Sequence, residues 1–164
     1  NSGMDITSFF SSQDLEIILK LFTALCLGMA LGVERAIAGK TAGMRTYGLV
    51  TMWSAIFVII GVLASGGYQA QATVFTDSSA RITAAIIQGI GFIGAGLIFF
   101  KDTKISGITT AAGIWVAAGV GAAIGYGFYS LAIVTTVFAL FAFTALWFIE
   151  NKVKAFARTF ENND

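Results

Sequence analysis

The sequence predicts an all-α polytopic membrane protein with five transmembrane helices. Three observations carry that prediction: an apolar composition, charges confined to short islands, and a one-sided distribution of lysine and arginine. Of 164 residues, 57% are hydrophobic, 15 are Phe and only 12% are charged, giving a mean hydropathy of +0.83. Soluble domains usually carry about 25% charged residues, so a soluble enzyme is not expected. A net charge of +1 leaves no basic excess with which to bind nucleic acid. Histidine is absent and Cys26 stands alone, which excludes disulfide frameworks, thiol-redox pairs and zinc sites. No cofactor and no metal is expected.

No charged residue occurs from Thr46 to Thr76, from Ile82 to Phe100, or from Ile105 to Ile149. A spanning helix needs about 20 apolar residues at about 1.5 Å rise each. The first gap therefore holds one span and a polar loop, Ser65–Ser78, and the second holds a single span. The third holds two spans with a tight turn at Gly125-Tyr126-Gly127. An earlier span reaches membrane length only if it includes Glu16 and Lys20, which sit four apart and can pair while the lysine snorkels to the interface. The expected helices are about 15–36, 46–65, 80–100, 107–125 and 128–150. Residues 1–3, before Met4, look like a cloning scar. The transmembrane domain is expected over 4–150, with a short cytoplasmic tail at 151–164. Asp5, Asp14 and Glu16 make a poor signal-peptide leader, so the first helix is expected to be retained.

In this arrangement Arg35, Lys40, Arg45, Lys101, Lys104, Lys152, Lys154 and Arg158 fall on one side, and only Lys20 and Arg81 on the other. The positive-inside bias then places the N-terminus outside and the C-terminus in the cytoplasm. No duplicated half suggests an inverted-repeat transporter.

Two nucleotide motifs are coincidental. Gly89-Ile-Gly91-Phe-Ile-Gly94 spells a dinucleotide fingerprint, but it lies inside an uncharged run with no preceding strand. Gly39-Lys40-Thr41 resembles the end of a phosphate loop whose first glycine would be position 34, which is Glu34. The glycines instead suit helix packing: Gly28 and Gly32 at GxxxG spacing, then Gly89, Gly91, Gly94 and Gly96, then Gly119, Gly121 and Gly125. Glycines on several faces make the third helix the expected centre of the bundle.

The polar residues near the spans are the functional candidates, because each has a desolvation cost. Glu34, Arg35 and Arg45 meet near one interface and suit either an ion-pair cluster or a solvated anchor. Arg81 opens the third helix, where a cation is disfavoured. It needs a carboxylate partner, Asp77 or Glu16, or else an anion or lipid headgroup. Gln88 lies about two turns deeper and needs a hydrogen-bond partner in a neighbouring helix. Thr109 and Thr110 open the fourth helix, whose free N–H groups can bind an anion or be capped locally, and local capping is the expected role. Trp115, Trp53 and Trp147 suit interfacial anchoring, although Trp115 sits deep for that role.

Three ordered stretches resemble the MgtC/SapB family of bacterial inner-membrane proteins. The first is Gly32-Val-Glu34-Arg35, then Gly39-Lys40-Thr-Ala-Gly43-Met-Arg45-Thr46. The second is Arg81 followed by Gln88-Gly89-Ile-Gly91-Phe-Ile-Gly94-Ala-Gly96, and the third is Gly107-Ile-Thr109-Thr110-Ala-Ala-Gly-Ile-Trp115. Two positions depart from the family pattern: Ala36-Ile37-Ala38 follows Arg35 where relatives carry more charge, and Gly113 replaces a residue that is usually polar. The chain resembles the family's short form, without the soluble C-terminal domain of its virulence members.

No constellation of residues resembles a catalytic site, so a non-enzymatic protein is expected, and the resemblance implies a multi-pass protein of the inner membrane, tied to magnesium limitation, acid stress or survival inside host cells. It implies a regulator acting on membrane partners, the F-type ATP synthase among them. Membrane lipids and a homo-oligomer are further expected partners. The alternative is a homo-oligomeric channel or transporter for a small ion or anionic solute, lined by Gln88, Thr109 and Arg81.

Overall fold

The computed structural model describes residues 11–66, 77–101 and 104–161, so residues 1–3 and most of the Ser65–Ser78 loop lie outside it. Five helices and one short hairpin follow in chain order: α1 (Ser12–Ile37), α2 (Met44–Ala64), α3 (Asp77–Leu97), β1 (Phe99–Lys101), β2 (Lys104–Ser106), α4 (Ile108–Tyr126) and α5 (Tyr129–Glu161). All five helices are long and apolar enough to cross a membrane.

α1 begins earlier than the hydropathy suggests because Ser11 and Asp14 form a capping box. The Ser11 hydroxyl accepts from the Asp14 N–H at 3.2 Å, and the Asp14 carboxylate accepts from the Ser11 N–H at 2.8 Å. Lys20 and Glu16 pair at 2.9 Å, but the lysine does not snorkel outward. Its side chain is 2% exposed and that of Glu16 is 52% exposed. The carboxylate one turn nearer the helix end satisfies the ammonium inside the bundle, so the lysine need not reach the interface itself.

The third helix stops at Leu97, three residues short of the expected end. Residues 99–101 form the first strand of the hairpin, with Phe99 opposite Ser106 and Phe100 opposite Ile105. Two effects favour this departure. Gly94 and Gly96 weaken the last helical turns, and Ile98-Phe99-Phe100 is β-branched and aromatic. Gly107, at φ +91°, then turns the chain against Leu97, whose carbonyl carbon would lie 2.9 Å from any added methyl group. At the far end of α4, Gly127 adopts φ +88° and its N–H donates to the Ile124 carbonyl at 2.9 Å. Phe128 donates to the Ala123 carbonyl at 2.8 Å, which reverses the chain into α5. α5 runs to Glu161, so the residues expected as a tail continue the helix.

The centre of the bundle is α4 with α2. In their most apolar stretches, 67% of α4 and 50% of α2 is buried, against 11% of α3. The expectation of a central third helix is therefore overturned. A glycine makes room for a neighbour but does not bring one. On α3, Gly94 meets the Ala111 methyl of α4 at 3.7 Å, whereas Gly89, Gly91 and Gly96 face open space.

The close approaches lie elsewhere. A methyl at Gly28 of α1 would sit 2.6 Å from the Tyr47 carbonyl oxygen, and one at Gly32 would sit 2.7 Å from the Met44 nitrogen. On α4, a methyl at Gly121 would lie 2.8 Å from the Thr51 carbonyl carbon, and one at Gly125 would lie 2.6 Å from Val58 Cβ. Thr51 thus sits between glycines of α1 and α4. Its hydroxyl donates to the Tyr47 carbonyl at 2.8 Å, leaving no polar atom unpaired in this seam.

Candidate functional site

The polar candidates of the sequence converge at one end of the bundle, where α1 finishes and α2 and α4 begin. Arg35, in the last turn of α1, is 4% exposed. Its Nε donates to the Glu34 carboxylate, and its guanidinium lies over the Phe143 ring of α5, 4.1 Å from the centroid. A weakly hydrated, planar cation suits such an aromatic face better than an ammonium would. Tyr47, in the first turn of α2, is fully buried, and its hydroxyl donates to the Thr110 carbonyl of α4 at 3.2 Å. That bond gives a buried phenol the partner it needs and ties the starts of two helices together.

Gly113 makes this arrangement possible. A methyl there would fall 2.8 Å from Phe143 Cζ and 3.1 Å from Tyr47 Cζ. The departure noted at Gly113 therefore has a local account, since the space of a side chain is filled by a tyrosine and a phenylalanine from two other helices. Glu34–Arg35, Tyr47–Thr110 and Phe143 together join α1, α2, α4 and α5 at one level.

Other candidates lie apart from this lock. Arg45 is exposed and makes no ion pair with Glu34, so the anticipated three-residue cluster reduces to the adjacent pair. The reason is geometric: Arg45 occupies the outward face of α2's first turn, two residues before the inward-facing Tyr47. Thr110 is buried and Thr109 is exposed, and neither caps α4. The N-cap is Gly107, without a side-chain bond, because the hairpin brings the chain in at a left-handed glycine.

Arg81 and Gln88 are both exposed on α3. Glu16, one proposed partner of Arg81, is paired with Lys20, and the side chain of Asp77 lies outside the described residues. Trp115 is 54% exposed and lines a groove of about 380 Å³ with Thr83, Gly119, Tyr126 and Leu131. At that groove's end, the Thr83 and Tyr126 hydroxyls meet at 2.7 Å. Arg81, Gln88 and Thr109 share no common lining within the protomer: the first two are on α3, and Thr109 is on α4 at the end where α3 finishes. Among the described residues, no three His, Cys, Asp or Glu side chains gather into a metal-binding group.

Tyr47 and Phe143 were not singled out from the sequence. A tyrosine in an apolar span facing a glycine of another helix was the available signal, but pairing the two requires knowing which helices touch.

Five apolar helices packed by glycine and tied by Arg35 over Phe143 and by Tyr47 on Thr110 define a polytopic helical membrane protein. The profile of the MgtC family matches residues 21–152, and the chain belongs to that family. It is 42% identical over 125 residues to the Escherichia coli K12 protein named "Putative magnesium transporter YhiD", covering 76% of this chain and 58% of that protein. It is 38% identical over 141 residues to Protein SapB of Bacillus subtilis, covering 85% of this chain and 60% of that one. Protein MgtC of Brucella abortus strain 2308 is 40% identical over 117 residues, which is 71% of this chain and 45% of the relative. The chain thus spans about half of the length of these relatives, from 45% to 60%. No solved structure matches it.

Proposed function

We propose that this chain is an inner-membrane protein, with its N-terminus outside and its C-terminus in the cytoplasm, that serves during magnesium limitation or a related stress. It does so without catalysis, by modulating a membrane partner complex, with the F-type ATP synthase as the first candidate. The names of the family and its relatives support the magnesium and membrane context, and the one-sided lysines and arginines support the orientation.

One observation carries the reading toward a partner. The protomer's interior polar groups at the lock are spent within it, Arg35 on Glu34 and Phe143 and Tyr47 on Thr110, and the α2–α4 seam is closed by Gly121 and Gly125 against backbone and side chain. What remains outward is the face of α3, with Arg81 and Gln88 exposed, and the exposed Arg45 and Lys40 at the lock end. Such a molecule acts through its outer surface.

The competing reading is a homo-oligomeric transporter whose path runs between protomers. It is favoured by the name of the Escherichia coli relative and by the same outward Arg81 and Gln88. Purified protein in liposomes separates the two. The partner reading expects no Mg²⁺ or anion flux from vesicles shown to contain folded protein, together with a crosslinked partner in native membranes. Flux that Arg81→Ala abolishes would establish transport instead. A second test is growth in low magnesium: Arg81→Ala is expected to lose rescue at normal membrane levels, and full rescue would remove that surface from the account.

A further inference from the structure

The outward face of α3 is unlike the other lipid-facing surfaces of the bundle. α1, α2 and α5 present large apolar side chains outward, including Phe22, Phe57, Phe138 and Phe141, each more than half exposed. α3 instead presents Arg81, Ala84, Gln88, Gly91 and Ala95, all exposed and spaced three, four, three and four residues apart. That is the heptad spacing of a helix seam. All five are small or polar, and a methyl at Gly91 would meet nothing within 4 Å. The seam is flanked by Ile87 and Phe92, which are 48% and 85% exposed.

Gln88 is the decisive residue. It lies near the middle of α3 (Asp77–Leu97), inside the uncharged run Ile82–Phe100, and no hydrogen bond to its side chain is found among the described residues. An amide facing hydrocarbon loses its water partners and gains none from lipid, so it is costly until another protein supplies a donor and an acceptor. The glycine stripe alone would be compatible with lipid, but the amide is not.

We propose that α3 is the contact between two copies of this chain, arranged about a two-fold axis with Gln88 hydrogen-bonded to Gln88 of the other copy. The identity of the occupant follows from the amide's chemistry and from topology. A carboxamide carries both donor and acceptor, so it is complementary to itself across a two-fold. Two copies inserted with the same orientation place their α3 helices parallel and their Gln88 residues at the same depth. Ala84, Gly91 and Ala95 let the two backbones approach, while Ile87 and Phe92 close the edges against lipid. The two Arg81 side chains lie about 10 Å along the axis, near the helix end, where water and headgroups screen them. A lone polar residue in a seam of this kind fixes register, here pinning the two helices at one level. The contact rests on neither reading of the function; it occupies the α3 face and leaves the exposed Lys40 and Arg45 at the lock end as the surface open to a different partner.

The test is cysteine crosslinking in membranes, starting from Cys26→Ala because Cys26 is exposed. Ala84→Cys and Ala95→Cys, which leave Gln88 and Gly91 in place, are expected to give a homodimer band on oxidation, and Phe57→Cys and Phe138→Cys none. Dimer at the control positions as strong as at the seam, or no homodimer at any seam position, would overturn the proposal. So would a seam crosslink only to a protein of different mass. In reconstituted vesicles, Gln88→Leu is expected to weaken self-association by roughly 3- to 30-fold and Gln88→Asn by less. Unchanged association in Gln88→Leu would exclude the amide pair. Because Gln88 is exposed in the protomer, both variants are expected to melt like the parent in detergent, which separates loss of association from misfolding.

Discussion

Gly28, Gly121 and Gly125 on one hand, and Gly89, Gly91 and Gly96 on the other, are the same residue at comparable helical spacing with opposite structural consequences. At Gly28, Gly121 and Gly125 the missing side chain is replaced by atoms of α2, at distances where even a methyl group would collide. In α3 the space stays empty within the protomer. A small residue in a membrane helix therefore reports only that close approach is permitted. Whether it is used, and by which helix, depends on whether a complementary surface arrives. For α1 and α4 that surface is the Tyr47–Val58 stretch of α2. For Gly89, Gly91 and Gly96 of α3 the protomer supplies none.

The sharpest way to break this comparison is to fill a used glycine. Gly121→Val adds bulk where a methyl would already lie 2.8 Å from backbone and 2.9 Å from Ser54 Cβ. Backbone cannot move aside as a flexible side chain can, so about 3 kcal/mol or more is lost, seen as poor accumulation in membranes and a lowered melting temperature in detergent. A melting temperature unchanged from the parent would mean that α2 and α4 are not packed through this seam.

Next in size is Arg35→Ala. It leaves the Glu34 carboxylate, 19% exposed, without its cation and the Phe143 ring without its cover. Losing one partner of a buried pair costs about 3 kcal/mol. Arg35→Lys keeps the charge but not the planar stacking on Phe143, and is expected to recover part of that loss. Equal melting temperatures for Arg35→Ala and the parent would show the pair to be a spectator.

These two sites differ in how far they could be read from residues alone. The five spans were legible because charge is expensive in hydrocarbon, and uncharged gaps of membrane length leave few alternatives. Glu34 and Arg35 were legible as candidates for the same reason. Three things were not. Lys20 is buried although its charge predicted an interfacial position, because its partner Glu16 took the exposed role. Tyr47 and Gly113 belong to one contact that joins residues 66 positions apart, and no local pattern carries that pairing. The burial of α4 over α3 was hidden as well, since both helices are rich in glycine and alanine, and only the partner surface distinguishes them.

Tyr47→Phe tests that long-range contact at smaller cost. It removes the donor to the Thr110 carbonyl and leaves that buried acceptor without its tyrosine partner, a loss of about 1–2 kcal/mol. Gly113→Ala is expected to be worse alone, since its methyl meets both aromatic side chains. Combined with Tyr47→Phe, the clash with the hydroxyl disappears, so the double variant is expected to be more stable than the sum of the two losses by about 1 kcal/mol. Strict additivity would place Gly113 and Tyr47 out of contact.

The smallest expected effect sharpens the comparison most, because it separates the protomer from its assembly. Gly89→Ala and Gly91→Ala both place a methyl in open space on a helix interior. In detergent, each is expected to raise stability by about 0.4–1 kcal/mol, through the reduced freedom of the unfolded chain and better helix propensity. Their behaviour in a bilayer should then diverge. Gly91 lies on the seam defined by Ala84, Gln88 and Ala95, so its methyl holds two α3 helices apart and lowers the dimer yield from Ala84→Cys. Gly89 lies one residue off that seam, beside the α2–α3 groove lined by Trp53 and Phe57, and its methyl leaves the yield unchanged. If both substitutions act alike in vesicles as well as in detergent, the open glycines of α3 face only lipid, and their spacing carries no information about assembly.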